Sequence, residues 1–382
     1  MAFANREADM LIGVPKEIKV HEYRVGLTPE SVRAVLAHGH RVLIERNAGL
    51  GIGATDADYR AAGATVADSA AQVFAEAELV VKIKEPLAPE RAQLRVGQAL
   101  FTYLHLAPDP EQTRDLVDSG AIAIAYETVT GPPPKRLPLL EPMSEVAGRM
   151  SIQVAAHYLE RPRSERGVLI SGAGGVPPAR IVVLGAGVVG ANAAQVAVGM
   201  GAEVIALNRS SGLLERLAAT LGSRVETMIS TPEAIEAQLR VADAVIGAAL
   251  VPGARAPKLV TRKMLKDMKA GAVIVDVSID QGGCFETSHP TTHAEPVYTV
   301  DGIVHYCVAN MPGAVPRTST YALNRATLPF VLELADRGVV PALQSNEHLR
   351  NGLSIYRGQV TCRQVAEALG YSYREASKAM GG

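Results

Sequence analysis

The stretch Ile181-Val182-Val183-Leu184-Gly185-Ala186-Gly187-Val188-Val189-Gly190 reads, in order, as strand, tight turn and the start of a helix. Four apolar, mostly β-branched residues lead straight into Gly-x-Gly-x-x-Gly, and an alanine-rich stretch continues to about Met200. Glycine at these spacings permits the turn, lets the backbone approach a pyrophosphate and lets the helix lie close on the sheet. The unpaired N–H groups at the helix start then face the anion. The same glycines also fit an ordinary strand-to-helix turn. Context separates the two readings, and a second apolar run, Val204-Ile205-Ala206-Leu207, completes the strand-helix-strand unit that dinucleotide binding requires. Gly185, Gly187 and Gly190 are therefore candidate cofactor-binding residues.

A unit that prefers NAD usually ends its second strand on Asp or Glu, whose carboxylate bonds the ribose hydroxyls and repels a 2′-phosphate. Here Asn208 stands at that point, followed by Arg209 and Ser210. A guanidinium and a hydroxyl in place of a carboxylate make NADP(H) a candidate coenzyme. In the alternative, the Asn208 amide bonds the ribose while Arg209 points into solvent.

Outward from this unit the α/β alternation continues. Downstream, strands and helices alternate to about Val308. Upstream, apolar runs at 11–14, 40–44, 78–83, 99–104 and 121–125 are separated by helical or glycine-rich stretches. Val32, Val35 and Leu36 give residues 29–38 helical spacing, with Thr28 before Pro29 marking the start. Gly131-Pro132-Pro133-Pro134-Lys135-Arg136 breaks the pattern, because successive prolines end both helices and interior strands, and a loop or domain edge is expected there. Ser144 then opens a helical stretch to about Glu160, and a second Gly/Pro-rich stretch, 171–178, precedes the glycine motif. From Pro316 the pattern turns helical, with Leu328, Val331, Leu332 and Leu334 at one spacing, and 364–369 forms a short amphipathic helix. The expected organisation is a dinucleotide-binding domain over 139–316 and a discontinuous substrate domain made of 1–138 and 317–382. No internal repeat or low-complexity segment interrupts it.

Composition narrows the function classes. The 382 residues are 48% hydrophobic and 20% charged, enough for two buried cores. With 38 basic and 39 acidic residues the formal charge is -1, which gives no global field that would seek nucleic acid or an anionic membrane. No apolar run reaches the roughly 18 to 20 residues that span a bilayer; even 181–207 carries Asn192, Gln195 and Glu203. Residues 1–9 are polar and mixed in charge, a loose extension without the pattern of a secretory signal. Cys284, Cys307 and Cys362 are odd in number and lack CxxC spacing, so neither disulfides nor a thiolate metal site is expected. These features describe a soluble, cytoplasmic protein with small-molecule ligands and no metal.

A small-molecule site beside a dinucleotide calls for cations to hold a carboxylate, a group that exchanges protons with nitrogen or oxygen, and a base to activate water. The sequence offers candidates of each kind. Arg24 lies in a loop between strand and helix, where binding residues commonly sit, although a lone loop arginine is usually solvated. Lys82 and Lys84 share one face of the strand that Pro86 ends, a pattern that also describes a solvent face. His105 ends the run that begins at Phe101, where it is either functional or a surface or satisfied structural histidine. The apolar run from Ala272 leads into Asp280 and two glycines, again an ionisable group at a strand's carboxyl end; Asp276, within the run, is expected to be structural.

Taken jointly, EYRVGLTP, KIKEP, FTYLHLAP, PLLEPMSEVAGRMS, VVLGAGVVG, GAALVPGARAPKLV, VDVSIDQGGCFE and HYCVANMPGAVPRTSTYAL resemble the alanine dehydrogenase family along nearly the whole chain. They are together far more specific than any one glycine fingerprint. The resemblance implies two Rossmann-like domains with doubly wound, mainly parallel sheets and an active-site cleft between them. It implies reversible oxidative deamination of L-alanine to pyruvate and ammonium with NAD(H), in a homohexamer. It makes His105 and Asp280 the catalytic pair and gives Arg24, Lys84 and Asn310 to the substrate. At the family's cofactor-contacting positions stand Ser144, Val188, Asn208, Ser230, Ala249, Leu250, Val277, Ser278, Ile279, Asp280, Val308, Ala309, Asn310 and Met311. One departure matters: the family's ribose-binding aspartate is Asn208 here, and the basic residue expected a few places later is Leu213, so coenzyme preference does not carry over. Two other readings compete, a transhydrogenase-like NAD-binding module and a dehydrogenase of another small amino acid.

Overall fold

A computed structural model describes residues 9–132, 137–249 and 256–381. The expected loose extension before Asp9, the residues Pro133, Pro134, Lys135 and Arg136 of the proline-rich break, and Leu250 lie outside the described residues.

Six strands precede the middle of the chain: β1 (Leu11–Val14), β2 (Arg41–Glu45), β3 (Thr65–Ala67), β4 (Leu79–Val81), β5 (Ala99–Thr102) and β6 (Ile122–Ala125). Seven follow: β7 (Arg180–Leu184), β8 (Glu203–Asn208), β9 (Val225–Ile229), β10 (Ala244–Gly247), β11 (Val273–Asp276), β12 (Val297–Val300) and β13 (Ile303–Tyr306). β14 (Leu353–Tyr356) and β15 (Gln359–Val360) come last. They form two sheets, in the orders β15-β14-β6-β5-β4-β1-β2-β3 and β12-β13-β11-β10-β7-β8-β9. In the first, β1 to β6 pair in parallel and β14 and β15 add on antiparallel. In the second only β12 is antiparallel. The doubly wound, mainly parallel α/β architecture expected from the sequence is the one the chain adopts.

Both sheets wind in the same way. The chain starts in the middle at β1, moves out through β2 and β3, then returns to the other side of β1 for β4, β5 and β6. It repeats this from β7 through β8 and β9, then back to β10, β11 and β13. Each reversal opens a crevice at the carboxyl ends of the strands, between β1 and β4 in one sheet and between β7 and β10 in the other. The strands beside these points, β4, β5, β6, β10 and β11, are buried at every residue, as strands covered on both faces must be. Phe74, Val80, Leu100, Ile355 and Val365 share one core, and Val182, Ile205, Val245, Ile274 and Phe285 another. Burying a side chain of this size contributes about 1.5–3 kcal/mol.

The chain divides into two compact units, residues up to Met143 together with those from Gly313 onward, and Ser144–Pro312. The long helix Pro316–Arg337 thus belongs with the first unit. Its Asn324 accepts from the Thr28 N–H at 2.8 Å and from the Ser31 hydroxyl at 2.9 Å, and donates to the Gly26 carbonyl at 3.0 Å. Thr28 caps the helix Pro29–Ala37 through the Ser31 N–H, as its place before Pro29 predicts.

Several boundaries differ from the sequence reading. The helix expected from Ser144 begins at Glu141 and ends at Tyr158. β4 stops at Val81, so Lys82 and Lys84 lie beyond it, and both are buried, 1% and 9% exposed. The solvent-face reading of these lysines is therefore wrong. β11 likewise stops at Asp276, and Asp280 sits in the short 3-10 turn Ile279–Gln281 rather than on the strand end. Among the described residues no helix is long and apolar enough to cross a membrane.

Candidate active site

In the first unit every candidate follows the carboxyl end of a central strand: Arg24 after β1, Lys84 after β4 and His105 after β5. Arg24 is not a solvated loop arginine; it is 2% exposed. Its Nε donates to Glu22 Oε1 at 2.7 Å, Nη2 donates to Glu22 Oε2, and Nη1 approaches Met143 Sδ at 3.1 Å. Burial alone would pull this guanidinium down, but the bonds and charge of Glu22, with Tyr103 and Glu17 behind it, hold it above its ordinary value. Lys84 is fixed at its carbonyl by the Thr102 hydroxyl, which donates at 2.9 Å. Neighbouring Lys82 is occupied elsewhere, in a buried ion pair with Glu17 and Glu90.

His105 has a left-handed backbone, with φ of 49°. A residue with a Cβ adopts that conformation only where its surroundings hold it there. Glu127, just after β6, supplies the hold: Oε1 accepts from the His105 N–H at 2.7 Å and Oε2 from the Leu104 N–H at 3.2 Å. Gln112 donates to the Leu104 carbonyl at 2.6 Å. The imidazole lies parallel to the Tyr103 ring, centroids 5.9 Å apart, with Nδ1 at 3.9 Å from Glu127 Oε1 and the side chain 45% exposed. It is a braced, accessible histidine beside a carboxylate, which suits proton exchange with a ligand.

In the second unit the glycine motif forms the turn between β7 and the helix Val188–Gly199. Gly185 has φ of 118°, and a Cβ there would lie 2.4 Å from the Ala248 carbonyl oxygen. A Cβ on Gly190 would lie 1.8 Å from the Gly185 oxygen. A Cβ on Gly187, by contrast, would meet nothing within 4 Å. Gly187 is the N-cap, and no side chain caps the helix there. The turn is thus tight where the helix meets the sheet and open where a phosphate would sit, so these residues fit a dinucleotide. The helix that carries Ser144 packs against the same turn, because Gly148 brings its backbone close to the Val189 carbonyl.

The other cofactor candidates lie around the same sheet edge. Asn208 ends β8; its Oδ1 accepts from the Ala186 N–H at 3.2 Å and its Nδ2 donates to the Ser210 carbonyl at 3.2 Å, while Arg209 is exposed. Ser230 follows β9 and bonds through its N–H to the Asn208 carbonyl. Ala249 follows β10, and its carbonyl accepts from the Ser278 hydroxyl at 2.8 Å. After β13 come Val308, Ala309, Asn310, with φ of 68°, and Met311. His293 donates to the Asn310 carbonyl at 3.1 Å. Val277 N–H bonds the Gly247 carbonyl, which ties the turn bearing Ile279 and Asp280 to β10. Buried Asp276 is structural, as expected: it accepts from the N–H groups of Ser278 and Cys284 at 3.1 and 2.9 Å, and burial raises its carboxyl above the usual range. Lys258 donates to the Gly282 carbonyl at 2.6 Å and the Phe285 carbonyl at 2.9 Å, and so fastens the far side of the same turn. Asp280 itself is exposed.

Over residues 13–147 the sequence matches the family described as alanine dehydrogenase/PNT, N-terminal domain, and over 151–363 its C-terminal domain. The chain belongs to the alanine dehydrogenase/PNT family. It is 56% identical to the alanine dehydrogenase of Halomonas elongata, across 97% of this chain and 100% of that one. Among solved structures, an L-alanine dehydrogenase superposes with a TM-score of 0.91 at 50% identity, covering 94% of this chain and 99% of that one. A transhydrogenase from Sinorhizobium meliloti follows at 0.78 and 26% identity, covering 92% and 99%. Within the alanine dehydrogenase/PNT family framework, the residues that sequence reading missed are carboxylates: Glu22 on Arg24, Glu127 on His105 and Glu17 beneath Lys84. Glu127 stands after β6 as His105 stands after β5, so the strand-end rule could have found it. Glu17 and Glu22 lie in a loop and carry no such signal.

Proposed function

We infer that the chain is a nicotinamide-dependent amino-acid dehydrogenase that deaminates L-alanine oxidatively to pyruvate and ammonium and runs the reverse amination. The observation that carries this reading is His105, held in a left-handed conformation by Glu127 at the same sheet edge as Arg24 and Lys84. Arg24 and Lys84 hold the substrate carboxylate and its amino or oxo group, and so fix the α-carbon. Glu22 keeps the guanidinium oriented while they do so. A nicotinamide dinucleotide held at the glycine turn Gly185, Gly187 and Gly190 would supply the hydride acceptor for that carbon, and loss of hydride would leave the substrate as an iminium. Asp280 then helps a water to add, and His105 exchanges a proton with the carbinolamine and polarises the forming carbonyl as ammonium leaves. Asn310 contributes on the substrate side.

The unit Ser144–Pro312 is the dinucleotide domain in this reading and the other unit the substrate domain. NAD(H) is the coenzyme that family membership supports. NADP(H) remains the alternative that Asn208, Arg209 and Ser210 raise. A cytoplasmic homohexamer acting on small molecules completes the proposal.

Following reduced nicotinamide by absorbance, with L-alanine and either NAD or NADP and then with pyruvate and ammonium, tests it. Turnover in both directions is expected. Coenzyme binding without turnover in either direction would overturn the substrate and favour a transhydrogenase-like binding module, the 26% identical structure being named a transhydrogenase.

A further inference from the structure

Lys82 is among the largest fully buried side chains, and nothing in the proposed chemistry uses it. Its ammonium donates to Glu17 Oε2 at 3.1 Å and to Glu90 Oε1 at 2.6 Å. Withdrawing two carboxylates and an ammonium from water is expensive, and a well-packed apolar trio of similar volume is often as stable, so stability alone explains the triad poorly. The second oxygen of each carboxylate goes to backbone on either side of Lys84. Glu17 Oε1 accepts from the Ile83 N–H at 2.7 Å and, more weakly, the Lys84 N–H at 3.4 Å. Glu90 Oε2 accepts from the Leu87 N–H at 2.8 Å. These amides lie past Val81, the last residue of β4 paired with β5. From the other side, the Tyr103 N–H reaches the Ile83 carbonyl at 3.3 Å and the Thr102 hydroxyl reaches the Lys84 carbonyl.

We propose that Glu17 is a positioning residue for Lys84: clamped by Lys82 and Glu90, its carboxylate fixes the Ile83-Lys84 backbone that carries the substrate-binding ammonium. The proposal rests on the reading of Lys84 as a substrate-binding residue. A rigid support of this kind matters because small misplacements of a binding group cost disproportionate affinity and rate. Glu17 acts chiefly through Lys84, since its charge adds only a minor share to the hold that Glu22 already has on Arg24, so most of the effect of its loss should require Lys84.

The test is a double-mutant cycle on the full-length enzyme with Glu17→Gln, Lys84→Met and both together. Pyruvate affinity for the enzyme–NADH complex is read from NADH fluorescence, beside kcat, NADH affinity and the melting curve. Glu17→Gln should weaken pyruvate binding about tenfold, lower the melting temperature because Lys82 loses one of its two buried counter-charges, leave NADH affinity as in the wild type, and add little to the loss of pyruvate affinity in Lys84→Met. Additive losses in the double variant would overturn the proposal, as would pyruvate affinity within about twofold of wild type in Glu17→Gln. If Glu17→Gln does not fold, Glu90→Gln loosens the clamp one bond further out and should show a smaller loss, again absent on Lys84→Met. If neither folds, the triad is a stability element and the proposal falls. Wild-type turnover of pyruvate and ammonium, run alongside, reports separately on the functional reading itself.

Discussion

The two sheets share a winding but build their carboxyl edges in opposite ways. The edge of β1, β4 and β5 carries charge: Arg24 and Lys84 are 2% and 9% exposed, and carboxylates brace the loops that hold them. The edge of β7 is made of backbone, with Gly185, Gly187 and Gly190 shaping the turn and no side chain capping the helix that follows. A phosphate can be held by N–H groups and a helix start, so that site needs shape and tolerates little added volume. A small amino or oxo acid offers few atoms, so its site needs side-chain charges, and buried charges need counter-charges. The first edge should therefore fail through chemistry and the second through sterics.

The largest effect should come from the imidazole. Replacing His105 by Ala removes the accessible imidazole to which the proposed mechanism gives the proton exchange, and alanine oxidation should fall by about 10²–10⁴-fold. Asp280→Asn should act in the same direction. Coenzyme affinity, measured by fluorescence titration, should survive both changes, because neither alters the glycine turn. Near-normal turnover in either variant would break the division of labour between the edges.

The glycine edge can be split by substitutions three residues apart. Gly190→Ala forces a Cβ to within 1.8 Å of a carbonyl oxygen, so the helix must shift, and a cost of about 1–3 kcal/mol should appear in the melting curve together with loss of coenzyme binding. Gly187→Ala meets open space at φ of -72°, so melting should stay as in the wild type while NADH affinity drops at least about tenfold. Equal melting losses in the two variants would mean that both glycines serve packing and that Gly187 marks no ligand site.

The same contrast explains what could be read in advance. The β7 turn was legible because its signature is local: strand, glycines and helix adjoin in the chain, even though the Ala248 carbonyl that presses on Gly185 comes from a distant strand. The strand-end rule also picked out His105 and Asp280, whereas Arg24 came from its loop and Lys84 was given a role only by the family resemblance. Their environments were not legible. Lys82 and Lys84 alternate like a solvent face, and only the fold, which brings Glu17 and Glu90 to the Lys82 ammonium, reveals that Lys82 is buried. Arg24 looks like a solvated loop residue until Glu22 folds back beneath it. Glu127 reaches His105 from the neighbouring strand, and pairing between strands is a property of the sheet rather than of either segment. The position of Asp280 was missed more narrowly, because the apolar run continues past Asp276 although the ladder ends there.

The smallest predicted effect lies between the two regimes, at Asn208, where a side chain enters the backbone-built edge. Its Oδ1 already accepts from the Ala186 N–H within the glycine motif, and Nδ2 donates to the Ser210 carbonyl. Asn208→Asp keeps the first bond, loses the second and adds a charge. The lost bond is at the surface and should cost no more than about 0.5 kcal/mol. The charge would repel a 2′-phosphate and bond ribose hydroxyls, so the ratio of kcat/KM for NAD over NADP should rise by about tenfold, equivalent to about 1.4 kcal/mol. An unchanged ratio would mean that the amide serves the turn rather than the ribose and that coenzyme choice is made elsewhere, with exposed Arg209 the next group to replace.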